Sequence, residues 1–279
     1  LTLTGLTGPA TVFATASRVN ETERDKTFAF VEESCATLWE SYRKNIKPSL
    51  PKEMAAQTGV AEAFGLPMVK ALWQAVQDFR GALGAESIMM VNLDGAMPQL
   101  PEVPEKLKSA KIPRLLFASE LKDAAKLSAS WKGLGDLIAS VISLSKAPVS
   151  PQPVEKKDGD LTSWGWTLPM DLGDVWPHAA VGGNRWYFGT SPSLTKTAST
   201  TTPAASGPAA GAMVRVNFSA LWGYIAPLLP LSPTNTPETL EAANGVLELL
   251  GSISELTATT GESGGTAHGR LHLRISDAR

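Results

Sequence analysis

The sequence has a single cysteine, Cys35, among 279 residues. No disulfide can form within the chain, and no cysteine-based metal cluster can be assembled. Cys35 falls on the apolar stripe of a predicted helix, which reads as a buried structural thiol rather than a reactive one. Such scarcity suits a reducing compartment, or an exported bacterial protein that does without disulfides. An excess of charge is also missing. The 25 Lys and Arg against 27 Asp and Glu leave a net charge of -2, so electrostatics gives no reason to expect nucleic acid or an anionic membrane as partner. No apolar run reaches the roughly eighteen residues that a transmembrane helix requires. The chain starts at Leu1 rather than Met, which reads as a processed or truncated product, with a removed signal peptide as one route.

Catalytic signatures are equally scarce. There is no G-x-G-x-x-G, no phosphate-binding G-x-x-x-x-G-K-[ST], no H-E-x-x-H and no G-x-S-x-G. The three histidines are His178, His268 and His272. The last two lie four apart and share a strand face, but nothing selects Asp277 or Glu255 as a further ligand, so no metal is expected. Asp171 and Asp174 in "MDLGDVWP" could act as general acid and base, although their spacing imposes no geometry. An S-x-x-K pair, Ser193 and Lys196, has the spacing of nucleophile and base in serine acyl-transferases. The same pattern recurs at Ser41, Ser49, Ser119 and Ser143, and the accompanying S-D-N and separate K-T-G are absent. The competing reading makes Ser191 a helix N-cap and Pro192 the first helical residue, leaving Ser193 and Lys196 solvated. No cofactor is expected.

What the chain does contain is apolar periodicity: 43% of residues are hydrophobic and 19% charged, the balance of a globular protein. A strand is predicted at about 10–17, then a helix capped by Asn20 with Phe28, Val31, Cys35, Leu38 and Tyr42 on one stripe. A second helix carries Val69, Leu72, Trp73, Val76, Phe79 and Leu83. "ESIMMVNL" reads as a buried strand and "RLLFAS" as another. A third helix from Asp123 to about Leu144 places Leu127, Trp131, Leu134, Ile138 and Val141 together. "LTSWGWTL", "HAAVGG", "RWYFGT" and "AMVRVNF" read as short strands, with Gly182, Gly183 and Asn184 in a hairpin loop. A helix begun by Thr236 and Pro237 precedes a closing hairpin. In its last strand Leu271, Leu273 and Ile275 face one way, and Arg270, His272 and Arg274 the other, the pattern of one wet face. Three times a strand ending in Phe is followed by Ser and a helix, at Ser119, Ser191 and Ser219, each serine read as a cap. This order predicts an α+β fold, a mainly antiparallel sheet packed against several amphipathic helices. By composition the chain divides into a helix-rich part at 1–146, a Pro-rich linker at 147–160 and a strand-rich part at 161–279, with one continuous domain as the alternative reading.

Aromatic residues are the unusual feature. Eight tryptophans stand against three tyrosines, and Trp164, Trp166, Trp176 and Trp186 lie close together. Trp164 and Trp166 share a strand face. Trp186, beside Arg185 at the hairpin, is the one expected to be exposed. A ligand-binding surface would use Trp186, Arg185, Trp164 and Trp166, with indole faces stacking on sugar rings or aliphatic chains.

The segment "HAAVGGNRWYFGTSPSLTKTA", a low-complexity gap, "AMVRVNFSALWGYI" and the hairpin "SELTATT…GRLHLRIS" together resemble bacterial extracytoplasmic proteins of domain-of-unknown-function family 3352, over about residues 113–276. The resemblance implies an α+β fold and a periplasmic, secreted or membrane-anchored location, and transfers no catalytic residue. The expectation is therefore a non-enzymatic cell-envelope protein that binds or scaffolds an unknown protein or glycan. The alternatives are a serine hydrolase or acyltransferase using Ser193 and Lys196, and a glycan-binding module with exposed tryptophan.

Overall fold

The structure, a computed structural model, describes residues 1–144, 153–168, 170–204, 211–231, 236–263 and 265–275. The strands are β1 (Thr11–Arg18), β2 (Leu83–Ala96), β3 (Lys111–Leu121), β4 (Pro153–Asp158), β5 (Leu161–Trp166), β6 (His178–Gly182), β7 (Arg185–Gly189), β8 (Ala212–Asn217), β9 (Ile253–Ser263) and β10 (Thr266–Ile275). The α-helices are α1 (Glu21–Ser41), α2 (Lys52–Ala82), α3 (Ala124–Leu144), α4 (Pro192–Thr200), α5 (Phe218–Ile225) and α6 (Pro237–Gly251). All ten strands join one antiparallel sheet in the order β10-β9-β8-β1-β2-β3-β7-β6-β5-β4. The fold is α+β, as the order of elements predicts.

Two compact units divide the chain. One holds the sheet and comprises Leu1–Arg18, Glu86–Leu121 and Pro151–Arg279; the other holds α1, α2 and α3 and comprises Val19–Ala85 and Lys122–Ser150. One boundary falls in the Pro-rich stretch read as a linker, two follow the ends of β1 and β3, and the fourth falls three residues into β2. Residues 153–158 of that stretch form β4, paired with β5 from Pro153 against Trp166 to Asp158 against Leu161. Its Glu and Lys residues disguise a strand because an edge strand keeps both faces wet.

In the sheet unit, alternation sorts each strand into two faces. One buries Ala14, Ala16, Ile88, Met90, Leu116, Ala118, Tyr187 and Met213, under Leu1 and Leu3 from the opening turn and Leu194 and Ala198 from α4. Small residues on the inner strands let these covering segments approach closely. At Gly189 a Cβ would meet Thr195 Oγ1 at 2.8 Å. The buried Glu86 carboxylate anchors the opening turn, accepting from Leu3 N (2.6 Å), Thr2 Oγ1 (3.2 Å) and Arg18 Nη2 (2.9 Å). The β6–β7 turn is made by Gly183 and Asn184, both with positive φ (57° and 56°), as a two-residue hairpin of primed type requires.

The helical unit departs from its predicted burial. α3 packs on α2, with Leu127 buried and Ser130 Oγ donating to Ala75 O at 2.7 Å; Val141 lies outside the residues whose side chains are described. α1 meets α2 through Phe28, which sits 6.3 Å from the Trp73 ring and beneath the Arg80 guanidinium. Two turns later the stripe is uncovered. Leu38 is 71% exposed and Cys35 is exposed, which corrects the expectation of a buried thiol. A stripe is buried only where another element lies over it, and periodicity does not reveal how far that element extends.

Only one of the three serines read as caps is one. Ser191 Oγ accepts from Leu194 N at the start of α4. Ser119 lies inside β3 and donates to Glu86 O, while Asp123 caps α3 by accepting from Lys126 N. Asn217 caps α5, and Ser219 is already within that helix. At both places the residue standing at the helix boundary, Asp123 or Asn217, takes the cap, because Ser119 lies before that boundary and Ser219 beyond it.

Candidate functional site

The surroundings of Ser193 begin with α4, whose first turn needs acceptors for its free N–H groups. Ser191 supplies one, and Asp174, from the loop before β6, supplies more. Asp174 Oδ1 accepts from Ser193 N at 2.9 Å; its Oδ2 accepts from Ser193 Oγ at 2.6 Å, from Ser191 Oγ, and from Arg114 Nη1 at 3.2 Å. Arg114, on β3, also donates to Ser193 Oγ (2.9 Å) and reaches Asp94 at the end of β2 (2.5 Å). Gly95, Ile112, Arg114, Leu115, Asp174 and Val175 line a cavity of about 260 Å³ beside this cluster.

This geometry holds a helix start in place. Burial pushes the Asp174 carboxyl up, but the hydroxyls of Ser191 and Ser193, the Ser193 N–H and the Arg114 guanidinium outweigh it and leave the group below the ordinary value of 3.8. A carboxylate so stabilised is a poor proton acceptor. Lys196 is not part of the cluster: its Nζ donates to Asp158 at 2.6 Å, on an exposed ion pair. The structure does not bring Ser193 and Lys196 together as nucleophile and base. Nor does it pair Asp171 with Asp174, since Asp171 Oδ1 accepts from Gly173 N in its own turn.

His178 sits one layer deeper. Its Nδ1 lies 2.6 Å from Trp176 O and its Nε2 3.0 Å from Thr195 Oγ1, and its ring stacks on Trp176 at 5.2 Å. The carbonyl requires Nδ1 to donate, so Nε2 accepts from the threonine hydroxyl in the neutral ring. Burial lowers the His178 pKa, against the opposing pull of the Trp176 carbonyl and of Asp174. His268 and His272 are on β10. No group of three His, Cys, Asp or Glu side chains among the described residues could hold a metal ion.

The four residues expected to bind ligand separate into two pairs. Trp186 is 7% exposed, packed edge-on against Phe117 at 5.5 Å, so the expectation of an exposed indole is overturned. Arg185 is buried on the opposite face, where Nη1 donates to Ala198 O (2.8 Å) and Nη2 to Thr201 O (2.9 Å), closing the C-terminus of α4. A two-residue turn keeps both in the sheet, and α4 covers the arginine. Trp164 and Trp166 do share a half-exposed face of β5. Trp164 Nε1 donates to Glu155 Oε2 at 3.1 Å. Trp166 borders a second cavity of about 280 Å³ with Lys156, Met170, Asp171 and Trp176, and Lys156 Nζ lies 4.3 Å over the Trp176 ring.

No family model, curated protein or solved structure matches this chain.

One feature escaped sequence reasoning. The sheet face opposite the core is apolar and uncovered at many points. Met89, Thr15, Val214, Ala258 and Leu271 stand opposite one another across five strands, from β2 to β10. Beside them run Val91, Phe13, Val216, Leu256 and Leu273. Farther along, Phe117 and Phe188 are paired on the same side. Leu115 is 47% exposed and Phe188 45%. "ESIMMVNL", read as a buried strand, leaves Met89 exposed. The continuous apolar run was the available signal, and it is ambiguous: it marks a strand covered twice or a strand with one open apolar face.

Proposed function

We propose that this chain is a non-enzymatic protein of the bacterial cell envelope that binds or scaffolds a partner through the open face of its sheet. The observation that carries the reading is the exposure of Met89, Leu115, Phe188, Val214, Leu271 and Leu273 on that one face. Contiguous apolar surface of this kind is uncommon on soluble monomers and marks interaction sites. The engagement of Ser193 by Asp174 and of Lys196 by Asp158 supports the non-enzymatic part. The location rests on the family resemblance of residues 113–276. A photo-crosslinking residue at Phe188 tests the whole reading: the expected result is a defined adduct in the envelope fraction of intact cells. Absence of any adduct, or labelling by a fluorophosphonate probe that is lost in Ser193→Ala, overturns it.

A second reading is favoured by the cavity beside Trp166, in which two indoles, an ammonium and a carboxylate surround a space of about 280 Å³. Stacking on indole faces with polar groups at the rim suits a saccharide. Titration of the intrinsic fluorescence with envelope oligosaccharides should give a saturable change that Trp166→Ala abolishes. An unchanged spectrum removes this reading.

A further inference from the structure

The sheet ends unequally. β4, at one margin, is six residues long, starts with Pro153 and carries Glu155, Lys156, Lys157 and Asp158. Proline, charge and shortness are the usual means of keeping a sheet edge from pairing with another chain. β10, at the other margin, has ten residues and neither proline nor an acid. It pairs with β9 along one side. Along its other side alternate N–H and C=O groups face outward, with no strand against them among the described residues.

The two faces of β10 differ in chemistry, and both are exposed. Leu271 (73% exposed) and Leu273 continue the open apolar face, opposite Ala258 and Leu256, so the strand has no dry side of the kind its alternation predicts. His268, Arg270, His272 and Arg274 occupy the other face. Neither Arg270 nor Arg274 is within 4.0 Å of a carboxylate oxygen among the ion pairs of the described residues, although the charge of Arg274 adds to the attraction that lowers Glu255. The carboxylate opposite Arg274 belongs to Glu255, and Arg215 already holds it at 3.0 and 2.6 Å. The other acid of β9, Glu262, stands opposite Ala267 near the hairpin tip, away from the arginines.

We propose that β10 receives, by strand addition, an extended peptide segment in which apolar and acidic residues alternate. Its apolar side chains extend the open sheet face beyond Leu271 and Leu273, and its carboxylates meet Arg270, His272 and Arg274. The inference rests on the binding reading above and names the chemistry of the partner. Backbone hydrogen bonds along the edge supply affinity, and the alternation supplies selectivity. A second copy of this chain is the poorer occupant. Antiparallel pairing of two β10 strands about His272 would set Arg270 against Arg274 of the other copy, and like charges directly opposite are destabilising.

The test uses the full chain and three fluorescein-labelled peptides: alternating Val and Glu, alternating Val and Lys, and the Val/Glu composition in two blocks. Fluorescence anisotropy should show the alternating acidic peptide binding at least about tenfold more tightly than either control, with weaker binding at high salt. Arg270→Glu with Arg274→Glu should reverse the preference towards the Val/Lys peptide, and this reversal is not an outcome that misfolding can produce. Hydrogen exchange at Leu271–Arg274 should slow on binding. Equal binding of all three peptides, or no added protection on β10, overturns the proposal. So does a concentration-dependent dimer that protects β10, because that assigns the strand to a second copy. If the peptides fail while the Phe188 crosslink persists, this proposal falls and the binding reading stands; if both fail, both fall.

Discussion

Glu86, Asp174, Glu255 and His178 tie stability to pH through two different mechanisms. Burial pushes the Glu86 carboxyl up, but the N–H groups of Thr2 and Leu3 and the Arg18 guanidinium outweigh it and hold it below 4.5. Glu255, paired with Arg215, is likewise low despite its desolvation. With folded pKa values under the unfolded ones, these carboxylates and Asp174 contribute stability that is complete above their ordinary values and is lost as pH falls from there through the folded values. His178 acts earlier. Its folded pKa lies below 6.5, so below that pH the unfolded chain takes up the proton more readily and the folded state loses stability. Urea unfolding should therefore give a lower midpoint at about pH 5.5 than at about pH 7.5. His178→Gln, with no titrating ring at this place, should show a smaller difference; an equal difference would show that His178 is not its source. None of this was legible in the residues singly. Asp174 and Ser193 are 19 apart in sequence, and only the packing of α4 against the loop before β6 brings them within 2.6 Å.

At the scale of elements, α4 and the hairpin before it were the most readable part of the chain, and for local reasons. Ser191, Pro192 and the positive-φ pair Gly183–Asn184 act within a few residues of themselves, so their chemistry needs no distant partner. Ser191→Ala removes the cap and an Asp174 contact and should cost about 1–2 kcal/mol in chemical denaturation. Gly183→Ala should cost about 1 kcal/mol or more. Its φ is 57°, and an added Cβ would meet Ser199 O at 2.8 Å. A loss below a few tenths of a kcal/mol at either position would contradict the geometry. Burial was the unreadable property. Trp186 and Arg185 occupy a hairpin that looks exposed, yet the indole packs on Phe117 and the guanidinium closes α4 from the far side of the strand.

At the scale of the whole molecule, the two units differ in how their elements are held. In the sheet unit, the core face of β1, β2, β3, β6 and β7 is sealed by α4 and the opening turn. In the helical unit, α1 has no buried residue along its 21 positions. Peptide-resolved hydrogen exchange should accordingly find β2, β3 and β7 slowest and α1 fast, since local opening follows the density of buried apolar contacts. Protection of α1 equal to that of β2 would refute this. The sequence alone determined the α+β class, the antiparallel hairpins, the capped start of α4 and the split chemistry of β10, because periodicity and turn residues act over short distances. It could not determine which stretches join into which unit, that "PVEKKD" is a strand, or that Trp186 is buried. Nor could it tell that the second face of the sheet is open at Met89, Val214 and Leu271 but closed at Trp186. Those depend on what lies over each face, and the covering residues come from parts of the chain far away in sequence. Only the tertiary structure brings them together.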